Sequence, residues 1–170
     1  MKYIIIALLL TIVACAPKIV YKERNTSELV GTWGLYKSKH PDGTANYPKP
    51  TYFIKFNPNG TYTQAYIQKR GSAILFGDYK IVGDTLVVFE TMKGTNGFTN
   101  FKQEADTVKL TQISNNQLEV HRHWYSFWTK KRKPYHNQIR FRPVSDDELE
   151  KFNTTYSKLI NDYKRIESSK

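Results

Sequence analysis

The sequence predicts an all-β domain: an eight-stranded antiparallel up-and-down barrel with one amphipathic α-helix packed against its outside. Three observations lead to this class. Apolar and polar residues alternate with a period of two, turn residues separate the short segments, and the period changes once, near the C-terminus. No helical pattern interrupts the alternating segments, so βαβ units are excluded. Closing such a sheet removes its exposed edges, and a sandwich is the alternative.

Eight segments carry the strand pattern, and each ends at a turn or a loop. Asn57-Pro58-Asn59-Gly60 is the clearest turn, because Asn and Gly adopt positive φ at low cost. A longer loop with Gly and Asn residues is expected over 92–106. The predicted strands are 29–38, 52–56, 61–68, 72–81, 85–91, 107–113, 117–124 and 138–142.

The C-terminal segment 145–168 changes to helical spacing. Ser145 with Glu148 three residues later predicts a capping box, and the acids that follow Ser145 favour a helix N-terminus. The stripe should pack against the barrel wall. A membrane-surface helix is the alternative, although its polar face mixes acids with bases. The apolar stripe consists of Leu149, Phe152, Tyr156, Leu159, Tyr163 and Ile166.

The N-terminus has the anatomy of a secretory signal. Lys2 is followed by an apolar run that is too short to span a bilayer, and then by Ile12-Val13-Ala14-Cys15. This last segment resembles the lipobox of bacterial lipoproteins. The resemblance implies acylation of the Cys15 thiol, cleavage after Ala14, and a periplasm-facing place on the outer membrane of the cell envelope. The expected divisions are a signal at 1–14, an acylated tether at 15–28 and a domain at 29–170.

Composition limits the partners. Cys15 is the one cysteine, so the domain has no disulfide and depends on its core. The formal charge of +11 favours anionic partners. An exported lipoprotein rarely meets nucleic acid, so anionic lipid headgroups, lipopolysaccharide phosphates and acidic glycans are nearer candidates. The alternative is that the lysines only solvate the surface and edges of the sheet.

Three short motifs resemble those of lipocalins and their bacterial lipoprotein relatives: Gly31-Thr32-Trp33, the segment 56–62 and Gly77-Asp78-Tyr79. The resemblance implies a barrel whose closed end is plugged by Trp33 and whose open end or interior takes a small apolar ligand. Lipocalins typically place an Arg against that Trp, and Arg140 and Arg142 are both candidates. They also often carry a disulfide, which one cysteine excludes, so a shallow or filled barrel is equally compatible.

Strand parity selects the candidate ligand-binding residues. Leu118, Val120, Arg122 and Trp124 share one face of a strand, so an inward Leu118 implies an inward Arg122. Such an Arg could anchor the carboxylate or phosphate of an amphiphile. Alternatively, it binds backbone carbonyls at the barrel rim and packs on Trp124. The full predicted set is Trp33, Phe56, Tyr62, Tyr66, Tyr79, Arg122 and Trp124.

A second candidate surface is the segment between Trp124 and His136, where aromatic and basic residues are mixed. Aromatic rings beside bases stack on sugars or enter a headgroup region while the bases contact phosphate. A solvated loop with its aromatic side chains folded back is the alternative. The predicted partner-binding residues are Trp128, Lys130, Lys131, Arg132 and Lys133.

The sequence contains no recognisable catalytic motif. It lacks a Gly-x-Ser-x-Gly elbow and a phosphate-cradling loop, and His121 and His123 have no accompanying acid or Cys cluster that predicts a metal site. We therefore predict no enzyme, metal or cofactor. The first hypothesis is an anchored lipoprotein that holds a small lipidic or amphipathic ligand in its barrel. The second is an interaction protein with a filled barrel that docks anionic lipid, glycan or a protein.

Overall fold

The computed structural model describes residues 26–40, 43–69, 71–83, 86–89, 92–103, 106–114, 116–125 and 132–169. These residues form antiparallel sheet followed by one α-helix, which confirms the predicted class. A short 3-10 helix, Thr26–Glu28, precedes the first strand. The strands are β1 Gly31–His40, β2 Gly43–Asn46, β3 Tyr52–Phe56, β4 Thr61–Gln68, β5 Gly71–Val82, β6 Leu86–Phe89, β7 Met92–Thr95, β8 Asn100–Gln103, β9 Asp106–Ser114, β10 Gln117–Tyr125 and β11 Arg132–Pro143, and the helix α1 is Asp146–Ser168.

The predicted count of eight strands is wrong: the eight predicted strands are present, but β2, β7 and β8 are additional to them. The sheet contains eleven strands in the order β4-β3-β1-β11-β10-β9-β6-β5-β7-β8, with β2 paired to β1. The sheet branches at β5, because one edge of β5 pairs with β7 over 74–76 and with β6 over 79–82. The opposite edge of β5 pairs with β4 along eight residue pairs, so the sheet curls back on itself.

Residues 92–106, expected to be a loop, contain a β-hairpin instead. Strands β7 and β8 pair from Met92–Gln103 to Thr95–Asn100. Of the Gly and Asn residues that suggested a loop, Asn96 and Gly97 lie in the turn, whereas Gly94 and Asn100 lie in the strands. The Thr95 hydroxyl accepts from the Gly97 N–H at 3.0 Å, and the Asn96 side-chain oxygen accepts from the N–H groups of Phe98 and Thr99. Met92 and Thr95 are buried, and this contact with the sheet pins the hairpin.

The turn that the sequence predicts most clearly is confirmed. β3 and β4 have the predicted bounds, and Asn57-Pro58-Asn59-Gly60 joins them. Gly60 has φ +80°, a value that residues with a Cβ rarely adopt. The Asn57 N–H donates to the Thr61 carbonyl at 2.8 Å, and the Gly60 N–H donates to the Asn57 carbonyl at 3.2 Å. Local backbone chemistry therefore favours a turn at this point of the chain.

Apolar side chains form two separate cores on opposite faces of the curled sheet. The inner core lies on the concave face, where Trp33 donates its indole N–H to the Leu29 carbonyl at 2.9 Å. It comprises Leu29, Trp33, Ile54, Phe56, Tyr62, Val87, Met92, Val108, Leu110, Leu118, Val120 and Phe141. Residues i and i+2 of a strand share a face, so the alternation in the sequence divides the side chains between this core and the outside.

The outer core lies under α1, which packs on the convex side of β4, β5, β7 and β8. This confirms the predicted helix against the sheet. The outer core comprises Phe53, Ala65, Ile67, Ile74, Phe152 and Leu159. Because β4 is covered on both faces, its side chains from Tyr62 to Ala65 are all buried.

The start of α1 is held by Glu148, as the predicted capping box requires. The Glu148 carboxylate accepts the Ser145 N–H at 3.0 Å, and both terminal nitrogens of Arg142 donate to it at 2.8 and 2.7 Å. The hydrogen bonds from Arg142 outweigh partial burial and hold the pKa of Glu148 below its ordinary value. The last residues of β11 are thereby tied to the first turn of the helix.

Glu148→Gln is expected to lower the free energy of unfolding by about 1 kcal/mol at neutral pH, because it weakens the cap and removes the ion pair. The pKa of Glu148 is depressed in the folded state, so its stabilisation is present above the unfolded pKa and lost as the pH falls through the folded pKa. The difference from the parent should therefore shrink below about pH 4.3. Urea unfolding at several pH values measures it. Glu150→Gln, at an exposed carboxylate of the same helix, is the control; an equal loss there would contradict the assignment.

Candidate functional site

The structure brings four of the predicted ligand-binding residues together on the concave side of the sheet. Trp33, Phe56 and Tyr62 are buried in the inner core, and Tyr79 packs against it. The Tyr79 ring meets that of Phe56 edge-on at 5.0 Å between centroids, and its hydroxyl donates to the Asn57 carbonyl at 3.1 Å. Burial raises the pKa of Tyr79. These side chains make mutual contacts that serve the packing of the domain.

The inner core encloses little free space. The cavity on its concave side has a volume of about 40 Å³. Pockets for small ligands usually measure about 300–1,000 Å³. The lining residues are Tyr52, Ile54, Phe56, Gln64, Val108, Leu118, Val120, Ile139 and Phe141. Around these described residues, the interior is therefore filled by side chains.

Tyr66 is not part of that interior. By strand alternation it shares a face with Tyr62 and Gln64, but it lies near the end of β4 and is 45% exposed. Its hydroxyl accepts a hydrogen bond from the Gln68 side chain. Gln64, by contrast, is buried and accepts from the Tyr52 hydroxyl at 2.8 Å. Tyr66 thus lies on the predicted face, where it pairs with Tyr52 and Ala73, but it is not packed into the inner core.

Several predicted site residues lie outside what the structure describes. Cys15, Trp128, Lys130 and Lys131 are outside the described residues, as are the side chains of Arg122, Trp124, Arg132 and Lys133. The backbone is informative for the last two, because β11 begins at Arg132. The prediction that Arg132 and Lys133 belong to a loop is therefore wrong: the backbone hydrogen bonds of β11 with β10 extend as far as the Tyr125–Arg132 pair.

A second depression lies on the outside of the sheet. We call it the basic groove: Lys37, Lys39, Thr44, Gln138 and Arg140, which line a volume of about 230 Å³. Phe141 and Ile139 belong to the concave side, so their strand neighbours on β11 face outward. The groove crosses β2, β1 and β11 and is separate from the predicted interior site.

Strand register arranges the basic groove and the adjoining part of β10 as two rows across four strands. One row contains Asn46, Lys37, Arg140 and Glu119, and the next contains Thr44, Lys39, Gln138 and His121. Lys37 and Arg140 are thus direct cross-strand partners. Like charges in this position destabilise a sheet, so an anion bound between them would relieve repulsion. The arrangement favours anion binding.

Glu119 is the acid beside these cations, and it is only 7% exposed. Its carboxylate accepts from Arg140 Nε at 2.8 Å and from the Thr111 hydroxyl at 2.9 Å, while His121 Nε2 lies 3.6 Å away. Burial raises the pKa of Glu119, but hydrogen bonds from Gln138, Thr111 and Arg140 together with the Arg140 charge outweigh it, and the net pKa is lowered. Glu119 is therefore ionised at neutral pH and orients Arg140.

Neither arginine proposed to stack on Trp33 does so. Arg140 and Arg142 flank the inward Phe141, so both lie on the face opposite Trp33. Their guanidinium groups bind Glu119 and Glu148 instead. That lipocalin-based prediction is wrong, and Arg140 belongs to a surface site that sequence reasoning missed. The sequence does show that Lys37 and Lys39 share one face of a strand, as do Gln138 and Arg140. It does not show that these two strands pair with each other.

No other centre emerges from the described ranges. Within them, no three His, Cys, Asp or Glu side chains are grouped as metal ligands. No helix in the described part of the chain has the length and apolar character needed to cross a bilayer. No family model and no curated protein matches the chain. The basic groove is therefore assessed on its own geometry.

Proposed function

We propose that this protein is a non-enzymatic, lipid-anchored envelope protein that docks phosphate-bearing anionic headgroups on its outer surface. The observation that carries the proposal is the contrast between a 230 Å³ groove lined by Lys37, Lys39 and Arg140 and an inner cavity of about 40 Å³. Acylation at Cys15 and a periplasm-facing place on the outer membrane complete the proposal. An anchor of this kind keeps the domain close to headgroups.

The filled interior argues against the other sequence-based hypothesis, a small lipidic or amphipathic ligand held inside the sheet. A cavity of about 40 Å³ is far smaller than the pockets of about 300–1,000 Å³ that usually bury small ligands. We expect native mass spectrometry of the chain, extracted from its membrane, to give the mass of the protein without a bound ligand. A lipid that co-purifies in stoichiometric amount would instead favour the interior site.

The charge of the chain is consistent with docking at an anionic surface. The formal charge is +11, and the groove concentrates three cations around one space. The basic aromatic segment that contains Trp128, Lys130 and Lys131 immediately precedes β11, the strand that carries Arg140. Exposed charges act over about 8 Å at physiological ionic strength, so docking should weaken as salt is added.

The test is binding to vesicles of phosphatidylcholine with and without phosphatidylglycerol. Each Lys near an anionic surface contributes about 1 kcal/mol, so Lys37→Gln with Lys39→Gln should weaken binding to the anionic vesicles about thirty-fold. Lys93→Gln with Lys102→Gln is the matched control, because it removes the same charge from exposed positions on β7 and β8. Vesicle co-sedimentation measures both, and any contribution from an acyl anchor is common to all variants.

The control decides between a specific groove and diffuse charge. The groove is supported if the control pair of substitutions changes binding by less than about three-fold, a fraction of a kcal/mol. Equal losses in the two double variants would assign the binding to net charge alone. No binding to anionic vesicles by the parent chain would rule out headgroup docking.

A further inference from the structure

The basic groove carries a charge that identifies a class of ligand. Three cations, Lys37, Lys39 and Arg140, line the groove, and Glu119 is the acid bound to one of them, which gives a local balance of 3 − 1 = +2. A phosphomonoester carries about −1.5 to −2 at neutral pH, whereas a phosphodiester carries only one negative charge. We propose that the groove binds a phosphomonoester on a hydroxylated carrier such as a sugar. This inference rests on the proposed function, in which the groove is the docking site.

Lys37 and Arg140 are placed to share one phosphate group. They are direct cross-strand partners, so their Cβ atoms stand about 4.5–5.5 Å apart, within reach of a single anion for side chains of this length. Arg140 gives its Nε–H to Glu119, and its terminal nitrogens carry the donors that suit phosphate oxygens. Glu119 thus fixes the guanidinium plane and offsets one of the three positive charges, so the groove keeps its net charge of +2.

The other end of the groove suits hydroxyl groups. Thr44 and Gln138 flank Lys39 in the same cross-strand row. Gln138 donates a side-chain hydrogen bond to Glu119, so its amide oxygen can accept from a ligand hydroxyl. The Thr44 hydroxyl both donates and accepts. A volume of about 230 Å³ is somewhat below the range of about 300–1,000 Å³ for pockets that enclose a whole small ligand, so the groove has room for a phosphate and part of its carrier ring.

Two soluble ligands of similar shape test the charge match. Glucose 6-phosphate is a dianion at pH about 8, because its second pKa lies near 6, whereas glucose 6-sulfate is a monoanion of the same size. Isothermal titration calorimetry of the full chain should give at least about ten-fold tighter binding of the phosphate. Lys37→Gln should weaken glucose 6-phosphate binding and bring the ratio of the two affinities towards one. Lys102→Gln, which removes an exposed lysine of β8, should change neither affinity.

Thr44→Val tests the carrier. It removes a hydroxyl at nearly constant shape, so it should weaken glucose 6-phosphate by several-fold while leaving inorganic phosphate unchanged. Vesicles that contain phosphatidic acid present a monoester without a sugar. Their binding should depend on Lys37 and should be insensitive to Thr44→Val, which separates a membrane headgroup from a soluble sugar phosphate as the source of the monoester.

The outcomes separate this inference from the proposed function. Equal affinity for the sulfate and the phosphate would overturn the dianion match while leaving headgroup docking intact. Binding to phosphatidic acid vesicles without any binding of glucose 6-phosphate would overturn the hydroxylated carrier. If the chain binds neither glucose 6-phosphate nor any anionic vesicle, both this inference and the proposed function fail. Thermal melting of each variant verifies that the fold is retained.

Discussion

Phe152→Ala is expected to lower the free energy of unfolding by about 3–5 kcal/mol. Phe152 is 1% exposed, and its ring lies 5.9 Å from that of Phe53 and 6.1 Å from that of Tyr156, measured between centroids. It is one of two buried side chains of α1, the other being Leu159. The substitution leaves a cavity under the helix and removes half of its buried anchors. Urea unfolding followed by circular dichroism measures the loss.

Two matched variants of the same helix give this prediction its controls. Lys151→Ala alters the exposed neighbour and should stay within about 0.5 kcal/mol of the parent. Phe152→Leu keeps an apolar side chain in the site and should cost less than Phe152→Ala. A loss below about 1 kcal/mol for Phe152→Ala would mean that α1 contributes little to the cooperative unit.

Gly94→Ala is expected to destabilise the protein by about 3 kcal/mol, the upper end of the usual range for overpacking. A Cβ at this position would collide with the Ile74 carbonyl oxygen and lie 2.7 Å from Cε2 of Phe101. Gly94 pairs with Leu75 on one side and Phe101 on the other, so the obstacle includes the backbone of β5, which cannot turn away. The β7–β8 hairpin would have to separate from the sheet.

This result is opposite in sign to the ordinary effect of the substitution. Where alanine fits, Gly→Ala stabilises a protein by about 0.4–1 kcal/mol because it restricts the unfolded chain. Thermal unfolding of Gly94→Ala beside Lys93→Ala, an exposed position on the same strand, measures the difference. A variant as stable as the parent would show that β7 can shift away from β5 at no cost.

The elements that the sequence predicts well are those fixed by neighbours in the chain. The turn at 57–60 depends on the conformational freedom of Asn and Gly within four residues. The start of α1 depends on Ser145 and Glu148, three positions apart, and its apolar stripe follows from helical spacing. Each of these arises from local backbone chemistry, so each can be predicted before the fold is known.

The elements that sequence reasoning missed are short strands whose stability depends on partners. β2 and β8 lie at edges of the sheet, and each is four residues long. So short a segment shows little alternation of apolar and polar residues. β7 contains Gly94, which suggested a loop, yet glycine is required there because β5 approaches so closely. These strands form because pairing with the rest of the sheet satisfies their backbone groups, and that information is not local.

The sequence by itself determined the all-β class, the terminal helix and a basic surface, because alternation, helical spacing and net charge are properties of the chain. Only the tertiary structure decided that side chains fill the interior around the described residues of the inner core and that the sheet branches at β5. It also decided that Lys37 meets Arg140 beside Glu119. The physical reason is that cross-strand register between distant segments depends on how both faces of the sheet pack, which no single segment specifies.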